Sequence, residues 1–201
     1  EYNKNVFIDF DPNTQIISSI DINTNKRPNP QTIDLSTYFC LPGLIDMHTH
    51  ISEASSGDLI EFYTKTQQEQ LKVGRINVEK TLKAGFTTVR DLGVYIAWTD
   101  KKLRDEINAD KIPGPRMKIS GYYLSIPGGG GDVAVPDYEG KGPDQIRRGI
   151  TKGVENFRVK AEKLVSGGAD QIKLIASGAV LAYGSVPGNP EMSPEEIAAF
   201  L

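Results

Sequence analysis

The chain contains two histidines, His48 and His50, and a single residue separates them. They follow an apolar segment, residues 43–47 (GLIDM), which has the character of a β-strand. On a strand, side chains two positions apart point to the same face, so the two imidazoles should project together. Neutral imidazole is a common ligand of zinc and similar ions. The pair therefore predicts a metal site at the end of this strand, against the alternative of a chance His-x-His in a surface turn.

Lys173 lies inside another apolar segment, residues 170–176 (DQIKLIA). Burying an ammonium group is costly and lowers its pKa. A neutral amine can react with carbon dioxide to give a carbamate, an anionic group whose two oxygens can bridge two metal ions. The alternative is an ordinary interior lysine paired with Asp46, Asp91 or Asp170, and the residue types alone leave both possibilities open.

A run of four glycines occupies residues 128–131. Successive backbone N–H groups in such a run could bind an anion. However, no Lys-Ser/Thr pair follows and no helix begins there, so a nucleotide-binding loop is not favoured. A mobile loop over the mouth of a barrel is expected instead. Trp98, Tyr122 and Tyr123 are interpreted as packing residues.

Strand-like and helix-like segments alternate after residue 42, and these elements must position the side chains described above. The alternation predicts a parallel sheet of βα units. The predicted strands are residues 43–48, 86–91, 116–121 and 170–176. The predicted helices are residues 67–84, 99–108 and 143–166. A further helix is expected to begin at Pro194, with Ser193 as its N-cap.

Residues 6–41 have a different pattern, in which apolar and polar positions alternate and turn-like segments such as residues 11–13 (DPN) interrupt them. This pattern predicts short antiparallel strands and hairpins. After residue 42, four βα units would leave an open sheet, whereas a closed barrel needs eight strands and about 250 residues. The fold class is therefore α/β, either as an open sheet or as the first part of a larger barrel.

The composition excludes several classes of protein. The chain has 201 residues, of which 38% are hydrophobic and 24% charged, as is typical of soluble globular proteins. Its formal net charge of -3 gives no basic excess for nucleic-acid binding, and no apolar stretch is long enough to span a membrane. The single cysteine, Cys40, excludes an internal disulfide and leaves both a cytoplasmic and an exported location open.

Several motifs together resemble a known family. Residues 41–50 (LPGLIDMHTH) resemble the first-strand signature of the metal-dependent amidohydrolases, which follows a small N-terminal β domain. Residues 81–93 (TLKAGFTTVRDLG) are similar to the second unit of the branch that contains imidazolonepropionase-like proteins and Xaa-Pro or Xaa-Arg/Lys dipeptidases. Residues 114–121 and 168–178 fit the same branch, so the resemblance covers nearly all of the chain.

The resemblance implies the first half of a (β/α)8 TIM-like barrel, preceded by part of a small β-sandwich domain. Residues 1–42 would be the N-terminal part of this composite β domain, and residues 43–201 the first four βα units. By position, His48 and His50 would be metal ligands and Lys173 the carbamylated bridge. The implied cofactors are one or two divalent metal ions, zinc before others, with carbon dioxide bound as the lysine carbamate.

The family's other ligands are two histidines from the fifth and sixth strands and an aspartate from the eighth, which this sequence does not contain. We therefore expect the chain to be the N-terminal part of an amidohydrolase and to be inactive alone. Its expected partner is the remaining half of the barrel or further copies of the protein in a homo-oligomer. Many members of the branch also carry a histidine in the loop after the third strand, where this chain has the glycines of residues 128–131.

The resemblance further implies hydrolysis of an amide or peptide-like C–N bond in a small-molecule or dipeptide substrate by a metal-activated hydroxide. A dipeptidase-like activity is the first expectation, and an imidazolonepropionase-like cyclic amide hydrolase is the nearest alternative. Ser177 and Tyr183, in a loop after a predicted strand, are expected to line the substrate pocket. A hypothesis of another class is a non-catalytic half-barrel that binds a partner through its exposed strand edges.

Overall fold

A computed structural model describes residues 6–22, 28–53, 63–134, 142–180 and 185–200. The chain divides into two units, Glu1–Pro42 and Gly43–Leu201. None of the helices in these described ranges combines the length and the apolar character that crossing a bilayer requires.

The first unit contains an antiparallel hairpin, as the alternating pattern predicts. Strand β1 (Val6–Asp11) pairs with β2 (Ile16–Ile22), and the register changes between Asp9 and Phe10. The turn is closed by Asp11, whose side chain accepts a hydrogen bond from the backbone N–H of Asn13 at 2.8 Å. This is the usual role of an aspartate at the start of a turn.

The second unit is built on a three-stranded parallel sheet in the order β3-β4-β5. The strands are β3 (Leu44–Thr49), β4 (Phe86–Asp91) and β5 (Arg116–Lys118). Because the strands are parallel, their carboxyl ends meet at one edge of the sheet, where ligand sites are usually found in α/β proteins. His48 and His50 lie at this end of β3.

Helices α1 (Gln67–Lys83) and α2 (Thr99–Asn108) follow β3 and β4 and pack against the sheet, within a residue of their predicted bounds. Val78 of α1, Val89 of β4 and Leu103 of α2 are fully buried in the core that this packing forms. Removing these apolar surfaces from water stabilises the sheet that carries the site.

The predicted long helix over residues 143–166 is wrong in its first half. The structure has a 3-10 turn at Asp144–Ile146 and a helix, α3, only over Val154–Ser166. Gly149 explains the break, because its backbone passes so close to the carbonyl of Tyr123 that a Cβ would collide with it. The carbonyl of Gly149 and the N–H of Thr151 both bond to the backbone of Ser125 instead of continuing a helix.

The third and fourth predicted strands are shorter than expected. β5 ends at Lys118, and residues 170–176 form one parallel bridge, between Leu124 and Leu174, in place of a continuous strand. Gly121 lies between these points with φ +77°, a conformation that bends the chain and interrupts the ladder.

The last described helix is α4 (Pro194–Ala198), which begins where the sequence predicts. Ser193 accepts a hydrogen bond from the N–H of Glu196, and Glu196 accepts one from the N–H of Ser193. This reciprocal arrangement is a capping box. Glu196 also accepts from the N–H of Gly153 at 2.7 Å, which ties α4 to the start of α3.

Helix α1 begins with the same kind of cap, and its removal should be measurable. The Thr66 hydroxyl accepts from the N–H of Glu69, whose carboxylate accepts from the N–H of Thr66 at 2.7 Å. We expect Thr66→Ala to lower the free energy of unfolding by about 1 kcal/mol, because a helical N–H loses its partner. Urea denaturation measures this, with Thr66→Ser as the control that keeps the hydroxyl. Equal stability of the alanine and serine variants would contradict the role of the cap.

Candidate functional site

The two histidines lie side by side at the carboxyl end of β3. Their ring centroids are 5.4 Å apart and the rings are inclined at 64°. His48 is exposed and His50 is partly buried. The strand geometry therefore brings the two imidazoles together, as the spacing of the residues predicts.

A backbone carbonyl fixes the orientation of His50. Nδ1 of the ring lies 2.9 Å from the carbonyl oxygen of Gly93, and 3.6 Å from Oε1 of Glu53. Because a carbonyl only accepts, Nδ1 carries a proton and the lone pair of neutral His50 is on Nε2, which is then available to a metal ion. Burial lowers the pKa of His50, and the positive charges of His48 and Lys173 lower it further, which favours this neutral form.

The carboxylate of Asp91 holds the loop that supplies this carbonyl. Asp91 is completely buried at the end of β4, and its Oδ1 accepts from the N–H of Gly93 at 3.1 Å. Its Oδ2 accepts from the N–H of Ile51, next to His50, at 2.7 Å. One side chain thus fastens the loops after β3 and β4 to each other and sets the position of the His50 ring between them.

Gly93 is suited to this connection because its φ of +106° lies in the left-handed region. A Cβ at this position would also lie 3.1 Å from the backbone nitrogen of Tyr123. A larger residue would therefore strain the loop and displace the carbonyl that His50 contacts.

Burial raises the pKa of two carboxyl groups near His50, those of Asp91 and Glu53. Burial, followed by the negative charge of Asp100, raises the pKa of Asp91. Burial also raises the pKa of Glu53, to about 7. Asp100 itself is fully buried at the start of α2 and accepts from the N–H groups of Gly121 and Lys101, each at 2.7 Å.

Lys173 lies in the segment that follows α3, and its backbone carbonyl accepts from the N–H of Leu124 at 2.9 Å. Its half-buried side chain makes no ion pair with the described residues. Burial lowers the pKa of Lys173, and the charge of Arg90 lowers it further. A lower pKa increases the neutral fraction of the amine, which is the form that reacts with carbon dioxide.

The alternative that Lys173 is paired with an aspartate does not agree with the structure. Asp46 accepts from the N–H of His48 at 3.0 Å, and Asp91 bonds to backbone N–H groups. Asp170 is bound instead by two other cations, Arg104 and Lys118, each at 3.1 Å.

His50, Glu53 and Lys173 share one cavity of about 380 Å³, a size typical of small-molecule sites. His48 adjoins it through its ring contact with His50. Ser177 and Tyr183 are expected to line the substrate pocket; Ser177 lines this cavity, whereas Tyr183 falls outside the described residues. The remaining lining is mostly aromatic or apolar: Tyr63, Leu92, Tyr95, Tyr123, Gly130, Val133, Leu174, Ile175, Ala176, Gly178 and Ala179.

The glycine run does not offer its N–H groups to an anion. The N–H of Gly130 donates to Glu191 at 2.7 Å, and that of Gly131 donates to Ser125 at 3.1 Å. The loop is also held by Asp132, which makes two hydrogen bonds with Arg147 at 2.6 and 2.8 Å. These internal partners agree with the expectation that the run is not a phosphate-binding loop.

The residues present fit part of a metal site. In the described ranges, no three His, Cys, Asp or Glu side chains are grouped to hold a metal ion. The two imidazoles and the lysine could provide three ligands if Lys173 is carbamylated. The contact from His50 to a carbonyl is the outer support that metal-binding histidines usually have.

Sequence reasoning missed several residues of the site, among them Glu53, Asp91 and Tyr123. The sequence indicates Asp91 only as a partner for Lys173, although an aspartate that ends a strand two residues before a glycine is a signal for a side chain that closes a loop. The sequence predicts a packing role for Tyr123, yet this residue lines the cavity. No periodic pattern distinguishes it from its neighbour Tyr122.

Comparisons with known proteins agree with this architecture. Residues 39–201 match the model of the amidohydrolase family. A prolidase structure complexed with N-methylphosphonate-L-proline is 31% identical, with a TM-score of 0.78 over 92% of this chain and 45% of its own. A Xaa-Pro dipeptidase structure with methionine in its active site is 28% identical, with a TM-score of 0.77 over 92% of this chain and 46% of its own.

Among curated proteins, ochratoxinase of Aspergillus niger is 29% identical over 177 residues, which cover 78% of this chain and 35% of the enzyme. The chain thus spans less than half the length of each of these relatives. The structural matches confirm the predicted fold, the N-terminal part of a TIM-like barrel with a small antiparallel sheet before it. With a family match that covers residues 39–201, the chain belongs to the amidohydrolase family.

Proposed function

We propose that the protein that contains this chain is a metal-dependent hydrolase of amide C–N bonds with a dipeptidase-like activity. The observation that carries the proposal is that His50 and Lys173 face one cavity, with His48 in ring contact with His50, in a chain of the amidohydrolase family. The prolidase and Xaa-Pro dipeptidase structures, which match over 92% of this chain, favour a dipeptide substrate, whereas ochratoxinase matches over 78% of it.

His48, His50 and a carbamylated Lys173 would hold the metal. A divalent ion bound there would supply Lewis-acid chemistry, by polarising the carbonyl of the scissile amide and acidifying a water molecule. Zinc suits imidazole and oxygen ligands and is the first candidate.

The chain's own residues have three tasks in this proposal. The carbonyl of Gly93 keeps the proton of His50 on Nδ1, so that the lone pair of Nε2 is available to a metal ion. Glu53 lines the same cavity, and its pKa of about 7 suits it to hold or release a proton there near neutral pH. The apolar lining excludes water around the substrate, which strengthens polar interactions inside the cavity.

Removal of the metal provides the test. The purified protein, supplied with zinc and bicarbonate, is incubated with methionylproline, glycylproline and glycylglycine, and the released amino acids are measured by chromatography. We expect hydrolysis of the proline dipeptides to cease after treatment with 1,10-phenanthroline and to return when zinc is added. Hydrolysis that persists without metal, or a metal-loaded protein that cleaves no amide in the panel, would contradict the proposal.

A further inference from the structure

The phenol of Tyr123 is a buried polar group with no hydrogen-bond partner. The residue is 7% exposed, and its hydroxyl oxygen is buried and unpaired in the described part of the chain. Leaving such a group unpaired destabilises the folded protein, and native proteins seldom retain one without a reason. A ligand that accepts from the hydroxyl would remove this cost.

Tyr123 lines the cavity that contains His50 and Lys173. Its position relative to both is fixed by backbone contacts. The N–H of the next residue, Leu124, donates to the carbonyl of Lys173 at 2.9 Å, and the Tyr123 nitrogen packs against Gly93, whose carbonyl contacts His50. The side chain of Tyr123 therefore belongs to the same cavity as the candidate metal ligands His50 and Lys173.

Two further tyrosines extend this side of the cavity into an aromatic wall. The rings of Tyr63 and Tyr95 are 4.7 Å apart and those of Tyr95 and Tyr123 are 5.6 Å apart, both edge to face. The hydroxyls of Tyr63 and Tyr95 lie 3.4 Å from each other, so these two phenols can pair. The aromatic wall thus has a largely apolar surface with the Tyr123 hydroxyl as a donor.

The donor character of Tyr123 follows from its surroundings. Burial raises the pKa of the phenol, and so do the charges of Glu53 and Asp132. The group therefore keeps its proton, and it can donate to a carbonyl or carboxylate oxygen. Gly131 makes room for the ring, because a Cβ there would lie 2.9 Å from Cε2 of Tyr123.

We propose that Tyr63, Tyr95 and Tyr123 form a substrate subsite for an amide that carries an apolar ring, with the Tyr123 hydroxyl donating a hydrogen bond to an oxygen of that substrate. The inference rests on the proposed function, since it assigns the substrate class of the same cavity. Stacking and edge-to-face contacts favour aromatic or proline rings over small polar substituents.

Binding to metal-free protein tests the subsite separately from hydrolysis. Phenylalanylproline is titrated by calorimetry into the wild type, Tyr123→Phe and the control Tyr122→Phe, whose ring packs against Trp98 at 6.1 Å. We expect Tyr123→Phe to weaken binding about tenfold, the size of one lost hydrogen bond, and Tyr122→Phe to leave it unchanged. We also expect glycylglycine to bind the wild type at least tenfold more weakly than phenylalanylproline.

Thermal unfolding separates this role from a structural one. Because the Tyr123 hydroxyl has no partner in the protein, Tyr123→Phe should unfold at the wild-type temperature or above it. Unchanged affinity in Tyr123→Phe, or equal affinity of the wild type for the two dipeptides, would overturn the subsite. If the wild type binds phenylalanylproline as expected but the metal-loaded protein cleaves no amide, the subsite stands and the proposed activity fails.

Discussion

Replacement of Lys173 by alanine is expected to remove both bound metal and hydrolysis. A carbamate at this position would be the only anionic ligand among the three proposed, and alanine has no atom to replace it. The Lewis-acid contribution of a metal ion is several kcal/mol, so a loss of about 4 kcal/mol would reduce kcat/KM by about a thousandfold. Metal content is measured by elemental analysis, and the rate with a proline dipeptide.

The carbamate itself has a separate signature. Protein prepared with ¹³C-labelled bicarbonate should give one carbamate carbon resonance in NMR spectra, and Lys173→Ala should lack it. Lys72→Ala is the matched control, because Lys72 is an exposed lysine of α1 that does not line the cavity. If Lys173→Ala keeps its metal and its rate, the carbamate hypothesis is wrong.

Asp91→Asn is expected to weaken metal binding although Asp91 is not a ligand. The asparagine amide has one acceptor oxygen, whereas the Asp91 carboxylate accepts from both Ile51 and Gly93. One N–H would then be buried without a partner, at a cost of about 2 kcal/mol in the free energy of unfolding. The Gly93 carbonyl would no longer be held against His50, and loss of such support typically costs 10–100-fold in metal affinity.

Asp100→Asn is the control that separates this effect from simple destabilisation. Asp100 is equally buried and also accepts from two backbone N–H groups, those of Lys101 and Gly121. Neither of these two hydrogen bonds involves the loop that contains His50. We expect both variants to lose similar stability in urea, but only Asp91→Asn to lose zinc affinity in competition with a chelating dye. An equal loss of affinity in both variants would show that Asp91 acts through general stability alone.

The local elements follow from the sequence because their signals are local. The capping residue Ser193, the strand of residues 86–91 and the helix of residues 99–108 all occur where pattern and cap chemistry predict them. The spacing of His48 and His50 predicts that their rings lie together, whereas the orientation of the His50 ring also depends on the carbonyl of Gly93.

The features that sequence reasoning missed depend on contacts between distant segments. The first half of the predicted long helix does not form, because Gly149 passes close to the carbonyl of Tyr123, a residue distant in the chain. Asp91 reaches the N–H of Ile51 across a separation of 40 residues. Tyr122 and Tyr123 are adjacent and identical in type, yet one packs against Trp98 and the other lines the cavity. Periodicity contains no information about such pairings.

The central claim is that His48, His50 and Lys173 together hold a divalent metal ion. Elemental analysis of protein purified in bicarbonate and zinc without chelator tests it most directly, with a double variant His48→Asn, His50→Asn as comparison. We predict about one to two equivalents of metal per chain in the wild type and almost none in the double variant, with the same circular dichroism spectrum for both. Equal metal content in the two proteins, or no metal in either, would contradict the claim.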